Sequence, residues 1–389
     1  MNKDSRISRR EFMSKTATRA VAAGISARAI SALAAETSGP APEKKLDYRK
    51  LGRTKLSVSA VSFGAMTTSD PAVIRRGVDL GMNYIDTARV YMQGENEKIV
   101  AKALEGIPRD KIHIATKIPM GQRRQPASKS AMLELADQSL KALNTDYVDV
   151  LSLHNLTQKE QVLNPDAIEA LAQLKKDGKA RFTGVTTHTN VAAVADAAVE
   201  SKFFDVVLAK LNFKSSEADI KALERTAKAG LGVVAMKTQA GGRHEQEPPE
   251  GLSTHPARLK WVLQHAFVSN AIPGMRTIQE VEENFRVMDK PVEMSEREKA
   301  ALKFYGDRID ALYCRLCGEC EGDCPFGAPV AEINRCVMYA DGYRDENLAR
   351  QELLALGNLP CADCSSCSVA CRNNVNVRAK IERALTLIA

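Results

Sequence analysis

The sequence predicts an α/β protein, a (β/α)8 TIM barrel followed by a mostly α-helical, cysteine-rich C-terminal domain. Three observations carry this reading. Short apolar runs alternate with helical patterns eight times from about residue 57 onward, the repeat of a parallel sheet closed on itself. No Gly-x-Gly-x-x-Gly follows the first run, which argues against the alternative of an open doubly wound sheet. Eight of the nine cysteines fall in two runs, 314–324 and 361–371.

Composition sets the outer limits. At 389 residues, with 44% hydrophobic and 26% charged, the chain has ample material for a core. No stretch reaches the ~20 apolar residues of a membrane span. The net charge of +7 is uneven: residues 1–35 hold seven Lys or Arg against Asp4 and Glu11, leaving only +2 for the rest. A nucleic-acid partner is therefore not expected.

Residues 1–35 come first. Ser8-Arg9-Arg10-Glu11-Phe12-Met13 precedes a mildly apolar, Ala-rich stretch and the small-residue site Ala32-Leu33-Ala34. A basic patch, an apolar stretch and small residues form an export signal. The paired arginines resemble the twin-arginine signal, which exports folded proteins; the resemblance implies the twin-arginine machinery as a partner and a periplasmic or otherwise exported location. A basic amphipathic helix is the bland alternative. Residues 36–46, with Gly39-Pro40-Ala41-Pro42, read as linker, 47–300 as barrel and 301–389 as the cysteine-rich domain.

Eight strands follow: Val58–Gly64, Asn83–Asp86, Ile112–Lys117, Val148–Leu153, Ala180–Thr186, Val206–Leu211, Gly232–Lys237 and Ala271–Pro273. The helical stretches between and after them include Pro71–Leu80, Asn96–Glu105, Lys129–Leu143, Asp166–Lys176, Val191–Glu200, Glu217–Lys228, Pro256–His265 and Ile278–Phe285. Barrel chemistry sits where strands end. Asp86 closes the second strand and Tyr91 follows five residues later; Lys117 closes the third and His154 the fourth. One mouth thus receives an acid, a phenol, an ammonium and an imidazole. Lys210 and His188 also come near strand ends, where a structural or rim role is the commoner one; Arg123-Arg124 reads as a solvated loop.

Two cysteine runs share one spacing: Cys314-x2-Cys317-x2-Cys320-x3-Cys324-Pro325 and Cys361-x2-Cys364-x2-Cys367-x3-Cys371. Zinc and disulfides are the alternatives. The repeated run is similar to the bacterial two-cluster ferredoxin pattern, which implies two 4Fe–4S clusters. By that resemblance one takes Cys314, Cys317, Cys320 and Cys371, and the other takes Cys361, Cys364, Cys367 and Cys324. Helical patterns at Asp345–Leu356 and Val377–Ile388 make the expected ferredoxin-like domain mostly helical. Cys336 reads as a buried apolar thiol.

The run Asn83-Tyr84-Ile85-Asp86-Thr87-Ala88-x-x-Tyr91, with Glu97 after it, resembles the aldo-keto reductase signature. The likeness continues through Ala115-Thr116-Lys117, Leu151-Ser152-Leu153-His154, Ala235-Met236-Lys237, Ile272-Pro273-Gly274 and Glu283-Asn284. It implies reduction of a carbonyl, or oxidation of a hydroxy compound, with NADP or NAD. Tyr91 would be the general acid, Lys117 lowering its pKa, Asp86 holding Lys117 and His154 orienting the substrate. It also implies cofactor contacts at Thr186, Thr187, Lys237, Gly241, Gly274, Arg276, Glu283 and Asn284. Leu211 stands where the family places an aromatic against nicotinamide, Leu208 where it often has Gln, and Glu280 where Arg is common. Arg276 can still grip a 2′-phosphate, which favours NADP. An electron-transfer protein is the partner the clusters imply. The alternative is a barrel turned binding scaffold or electron relay without nicotinamide.

Overall fold

The computed structural model describes residues 46–121, 127–242, 254–289, 293–320, 322–364 and 367–389. The expected export signal, all of the linker but Leu46, and Arg123-Arg124 lie outside the described residues. Leu46–Ala389 cluster as a single unit.

A hairpin of β1 (Tyr48–Lys50) and β2 (Ser57–Ser59) pairs antiparallel with Tyr48 opposite Ser59. The first expected strand is therefore two: β2 belongs to the hairpin, and the barrel begins only at β3 (Phe63–Gly64). Helix α1 (Pro71–Leu80) starts behind Asp70, whose carboxylate accepts the Ala72 N–H, and stops at Gly81 in left-handed backbone, φ 111°. The chain then runs β4 (Tyr84–Asp86), α2 (Asn96–Ala103), β5 (His113–Pro119), α3 (Lys129–Leu143), β6 (Val148–His154), the short α4 (Lys159–Val162), α5 (Pro165–Lys176), β7 (Ala180–Thr187), α6 (Val191–Ser201), β8 (Val206–Lys210), α7 (Glu217–Lys228), β9 (Gly232–Met236), α8 (Thr254–Leu263), β10 (Asn270–Ala271) and α9 (Ile278–Phe285).

The eight strands β3 to β10 pair in parallel and in sequence order. Parallel bridges Val61–Ala271 and Gly64–Gly274 join the last strand to the first, and the Ser62 N–H donates to Ala271 O at 2.8 Å. Inward side chains such as Tyr84, Val150, Leu208 and Met236 fill the barrel; outward ones such as Ile85, Val207 and Leu211 pack against the helices.

Four more helices follow: α10 (Glu296–Ile309), α11 (Val330–Asp341), α12 (Glu346–Ala355) and α13 (Val377–Ile388). α10 begins with a capping box between Ser295 and Glu298. The expected boundary after residue 300 falls inside this helix. Its start is tied to the barrel by Lys260–Glu298 at 2.8 Å, while Tyr305 and Ile309 enter the core of the C-terminal module. α11 lies at the centre of that core, with every residue from Val330 to Ala340 buried. Among the described residues no helix is long and apolar enough to cross a membrane.

Candidate active site

The carboxyl ends of the strands bring the four expected catalytic residues together. Asp86 ends β4, Lys117 lies in β5 two residues before its end, His154 ends β6, and Tyr91 opens a tight turn after β4. Parallel register sets the first three side by side: Asp86 faces Ala115 across one strand pair, and Lys117 faces Ser152 across the next. Lys117 is 1% exposed and spends its ammonium on Asp86 Oδ1 (2.5 Å), Thr87 O (2.6 Å) and the Tyr91 hydroxyl (3.3 Å). The His154 ring meets Tyr91 edge-on at 5.6 Å between centroids. Its nitrogens make no hydrogen bond to a described residue.

Burial decides the protonation states. It pushes Tyr91 well above the ordinary tyrosine value, and the charges of Asp86 and Glu352 push the same way against Arg335. Burial and Asp86 outweigh any of the lowering expected from Lys117, so the phenol stays neutral until its proton is taken. Burial likewise lowers Lys117, which Asp86 counteracts, and lowers His154 well below the usual histidine range, helped by Lys117 and Arg335. A neutral phenol and a neutral imidazole thus face the mouth, each able to donate one hydrogen bond.

Tyr91 and Asp86 line a cleft of about 1150 Å³ that is open to solvent; His154 stands behind Tyr91 and is not among the lining residues. Of the expected cofactor residues, Lys237, Gly274, Arg276, Glu283 and Asn284 line it. Thr186, Thr187 and Gly241 do not. The Thr186 hydroxyl accepts the Asn155 N–H at 2.8 Å, and the Thr187 hydroxyl donates to Thr189 O at 2.6 Å. The Gly241 carbonyl abuts Gly342 of the C-terminal module. Leu211 is wholly buried against the helices, so that position offers the cleft no stacking face. Arg276 donates to Tyr343 O at 2.8 Å, and Glu280 accepts the Arg276 N–H at 2.7 Å. Lys210 is taken up by Asp219 (3.3 Å) and Arg315 O (2.5 Å) and acts as a tie between barrel and module.

Two cleft residues escaped the sequence reading. The Thr238 hydroxyl and both amide atoms of Gln239 line the cleft, buried and without a hydrogen-bond partner among the described residues, as does His188 Nδ1. Buried polar atoms left open in a cleft suit a polar ligand. Their signal was only their place in the loop after a strand.

The cysteines gather in the C-terminal module. Burial pushes the Cys314 thiol up to about 12, and the neighbouring thiols that add to this are Cys320, Cys317 and Cys371. Cys361 is raised by burial and then by Cys324, Cys367 and Cys364. Each run therefore lends its fourth cysteine to the neighbourhood of the other. Among the described residues no three His, Cys, Asp or Glu side chains stand close enough to hold a metal ion. Cys336 is fully buried inside α11, its thiol pushed up to about 12 by burial.

Comparison with known proteins agrees with this geometry. Residues 65–257 match the aldo/keto reductase family. The chain is 29% identical to an L-galactose dehydrogenase of Arabidopsis thaliana over 282 residues, 62% of this chain and 87% of the other. It is 28% identical to the methylglyoxal reductase YeaE of Escherichia coli, over 60% of this chain and 83% of the other. An aldo-keto reductase from Bacillus halodurans in its holo form superposes with a TM-score of 0.56 at 25% identity, covering 67% of this chain and 96% of the other. One from Klebsiella pneumoniae, in complex with NADPH, shares the fold at 24% identity, with a TM-score of 0.55 and coverage of 67% and 95%.

Proposed function

We propose, on the premise that this chain carries an aldo/keto reductase family domain and is a NAD(P)H-dependent oxidoreductase, that it interconverts a small carbonyl compound and its alcohol with NADP(H). The observation that carries the reading is the neutral Tyr91 hydroxyl, hydrogen-bonded by Lys117 at 3.3 Å, in one cleft with Gly274, Arg276 and Asn284. When bound, a reduced nicotinamide supplies a hydride to the carbonyl carbon. The chain supplies the rest. Tyr91 gives its proton to the carbonyl oxygen as the C=O bond becomes C–O–H. Lys117, 3.3 Å away, stabilises the tyrosinate left behind, and the open cleft returns a proton from solvent. Asp86 fixes Lys117, and the free N–H of neutral His154 orients the oxygen. The open polar atoms of Thr238, Gln239 and His188 fit a polar nucleotide. Arg276 at the cleft favours a 2′-phosphate, hence NADP over NAD. The relatives named as a sugar dehydrogenase and a methylglyoxal reductase support a small polar carbonyl–alcohol pair.

The two thiol neighbourhoods suit two 4Fe–4S clusters, one at Cys314, Cys317, Cys320 and Cys371, the other at Cys361, Cys364, Cys367 and Cys324. Thiolates around a cube of iron and sulfide stand further apart than ligands around one ion, so a lack of single-ion groupings is compatible with clusters. When bound, such clusters supply one-electron transfer, and an electron-transfer protein is their partner. Residues 1–35 support export through the twin-arginine route, which carries folded proteins and so suits a chain loaded before export.

The test is Tyr91→Phe. Carbonyl-dependent oxidation of NADPH should fall by about a hundredfold or more, while NADPH binding by fluorescence stays within a few-fold. Undiminished turnover would remove Tyr91 from its role. Absence of NADPH binding by the unaltered protein would promote the scaffold reading, to which the buried Leu211 lends its weight.

A further inference from the structure

One group of side chains at the cleft wall takes no proton-transfer role in the reduction just described; Lys237 and Tyr343 line the cleft and Tyr339 lies behind them. Lys237 follows β9 in left-handed backbone, φ 56°. Its ammonium lies 3.2 Å from the Tyr339 hydroxyl and 3.3 Å from the Tyr343 hydroxyl, and 4.4 and 5.0 Å from the two ring centroids. Both tyrosines come from the C-terminal module. Each hydroxyl accepts from the lysine, and Tyr339 accepts from Arg335 Nη1 as well, at 2.5 Å. A lysine and an arginine can only donate, so both phenolic protons remain to be given. No described residue accepts either. Tyr339 is 1% exposed, and a buried donor without an acceptor costs free energy. Among the described residues Lys237 has no carboxylate within ion-pair distance. Glu332 and Glu352, which feel its charge, are bonded to Arg335 at 2.8 and 3.0 Å.

An ammonium and two free O–H donors at one point call for an oxyanion. We propose that Lys237, Tyr339 and Tyr343 form a seat for a carboxylate carried by the carbonyl substrate, half built by the barrel and half by the C-terminal module. The seat lies at the tetrad. Lys237 and Tyr343 line the same cleft as Asp86 and Tyr91, and Tyr343 is near enough to Tyr91 that ionising one phenol would oppose ionising the other. His188, also in the cleft wall, feels Lys237, His154 and Lys117 together. Burial and Arg335 pull Lys237 down to about 7, and a bound carboxylate restores its full charge. The inference rests on the reductase reading and names its substrate class, an oxo or aldehyde acid. The same oxyanion chemistry has a second source, a phosphate of the nucleotide.

The experiment uses the full chain and two aldehydes of matched shape, 4-carboxybenzaldehyde and the neutral 4-nitrobenzaldehyde. Their affinities are compared by calorimetry without nucleotide, and their kcat/KM with NADPH. The carboxylate should be preferred about tenfold or more in both. Lys237→Met should bring that ratio close to one, measured at saturating NADPH, and Tyr343→Phe should lower it a few-fold. A wild-type ratio near one, or a ratio unchanged in Lys237→Met, overturns the seat. Lost NADPH affinity in Lys237→Met, with the ratio intact, assigns the oxyanion to the nucleotide and overturns the substrate claim. Carboxylate preference in binding without any turnover would sink the reductase reading and leave the seat standing.

Discussion

Tyr91 shows how far a single residue can be read from its neighbours in sequence. The acid, phenol, ammonium and imidazole were legible because each falls at the end of a short apolar run, and strand ends of a barrel share one mouth. The charge state was not legible, because it depends on how much of the ammonium Asp86 already neutralises at 2.5 Å and on burial. The same competition is won by the charges at the opposite end of the barrel. Asp149 accepts the Ile114 N–H at 2.9 Å and pairs with Arg109 at 2.7 Å and Arg181 at 2.8 Å. Against the burial that would raise it, His113, Arg109 and that N–H hold its carboxyl down to about 2. A depressed carboxylate contributes stability that is complete above its unfolded value near ~4 and is lost as pH falls through the folded one. Asp149→Asn should therefore cost about 2–3 kcal/mol in urea unfolding at pH 7. The difference from wild type should shrink between about pH 4 and pH 2; a constant difference would mean that packing, not charge, was removed.

At the scale of elements, amphipathic helices were legible and fully buried ones were not. α1, α3, α7 and α9 present one apolar face, which periodicity finds, and their caps at Asp70, Ser128, Ser216 and Thr277 mark their starts. α11 is covered on every side, so Glu332, Asn334 and Arg335 sit inside among Ile333, Val337 and Met338. Its polar residues therefore do not mark a solvent face, and burial on every side could not be read from them. The first strand was overextended for a related reason: Val58 and Phe63 are both buried apolar residues, but in different sheets. Between elements, contact is closest where α11 ends. A Cβ added to Gly342 would lie 1.8 Å from the Gly241 carbonyl oxygen. Gly342→Ala should destabilise the chain by about 1–3 kcal/mol and open the cleft to proteolysis between α11 and α12. An unchanged urea midpoint would show that the two loops have room to part.

For the whole molecule, the cysteine runs set residues 314–371 apart from the strand-helix repeat in the sequence. The joint between the parts was not visible, because it is made of contacts distant in sequence: Lys210 to Arg315 O, Asn212 to the Tyr313 hydroxyl at 3.0 Å, and Thr189 and Asn155 to Glu332. The proposed crossing of fourth cysteines makes a prediction at this scale. Anaerobically purified protein should carry about eight irons. Cys371→Ser should disturb the site of the first cysteine run, and Cys324→Ser that of the second, each losing about half the iron and leaving one cluster signal in electron paramagnetic resonance. Loss of both signals in either variant, or a full complement in both, would contradict the pairing.

α10 begins against the barrel and ends in the core of the module. A joint of this kind is a splice, not a hinge. Cutting the chain at residue 300 would tear one helix in two, so the barrel cannot be exchanged there without taking away an element that the C-terminal core also needs.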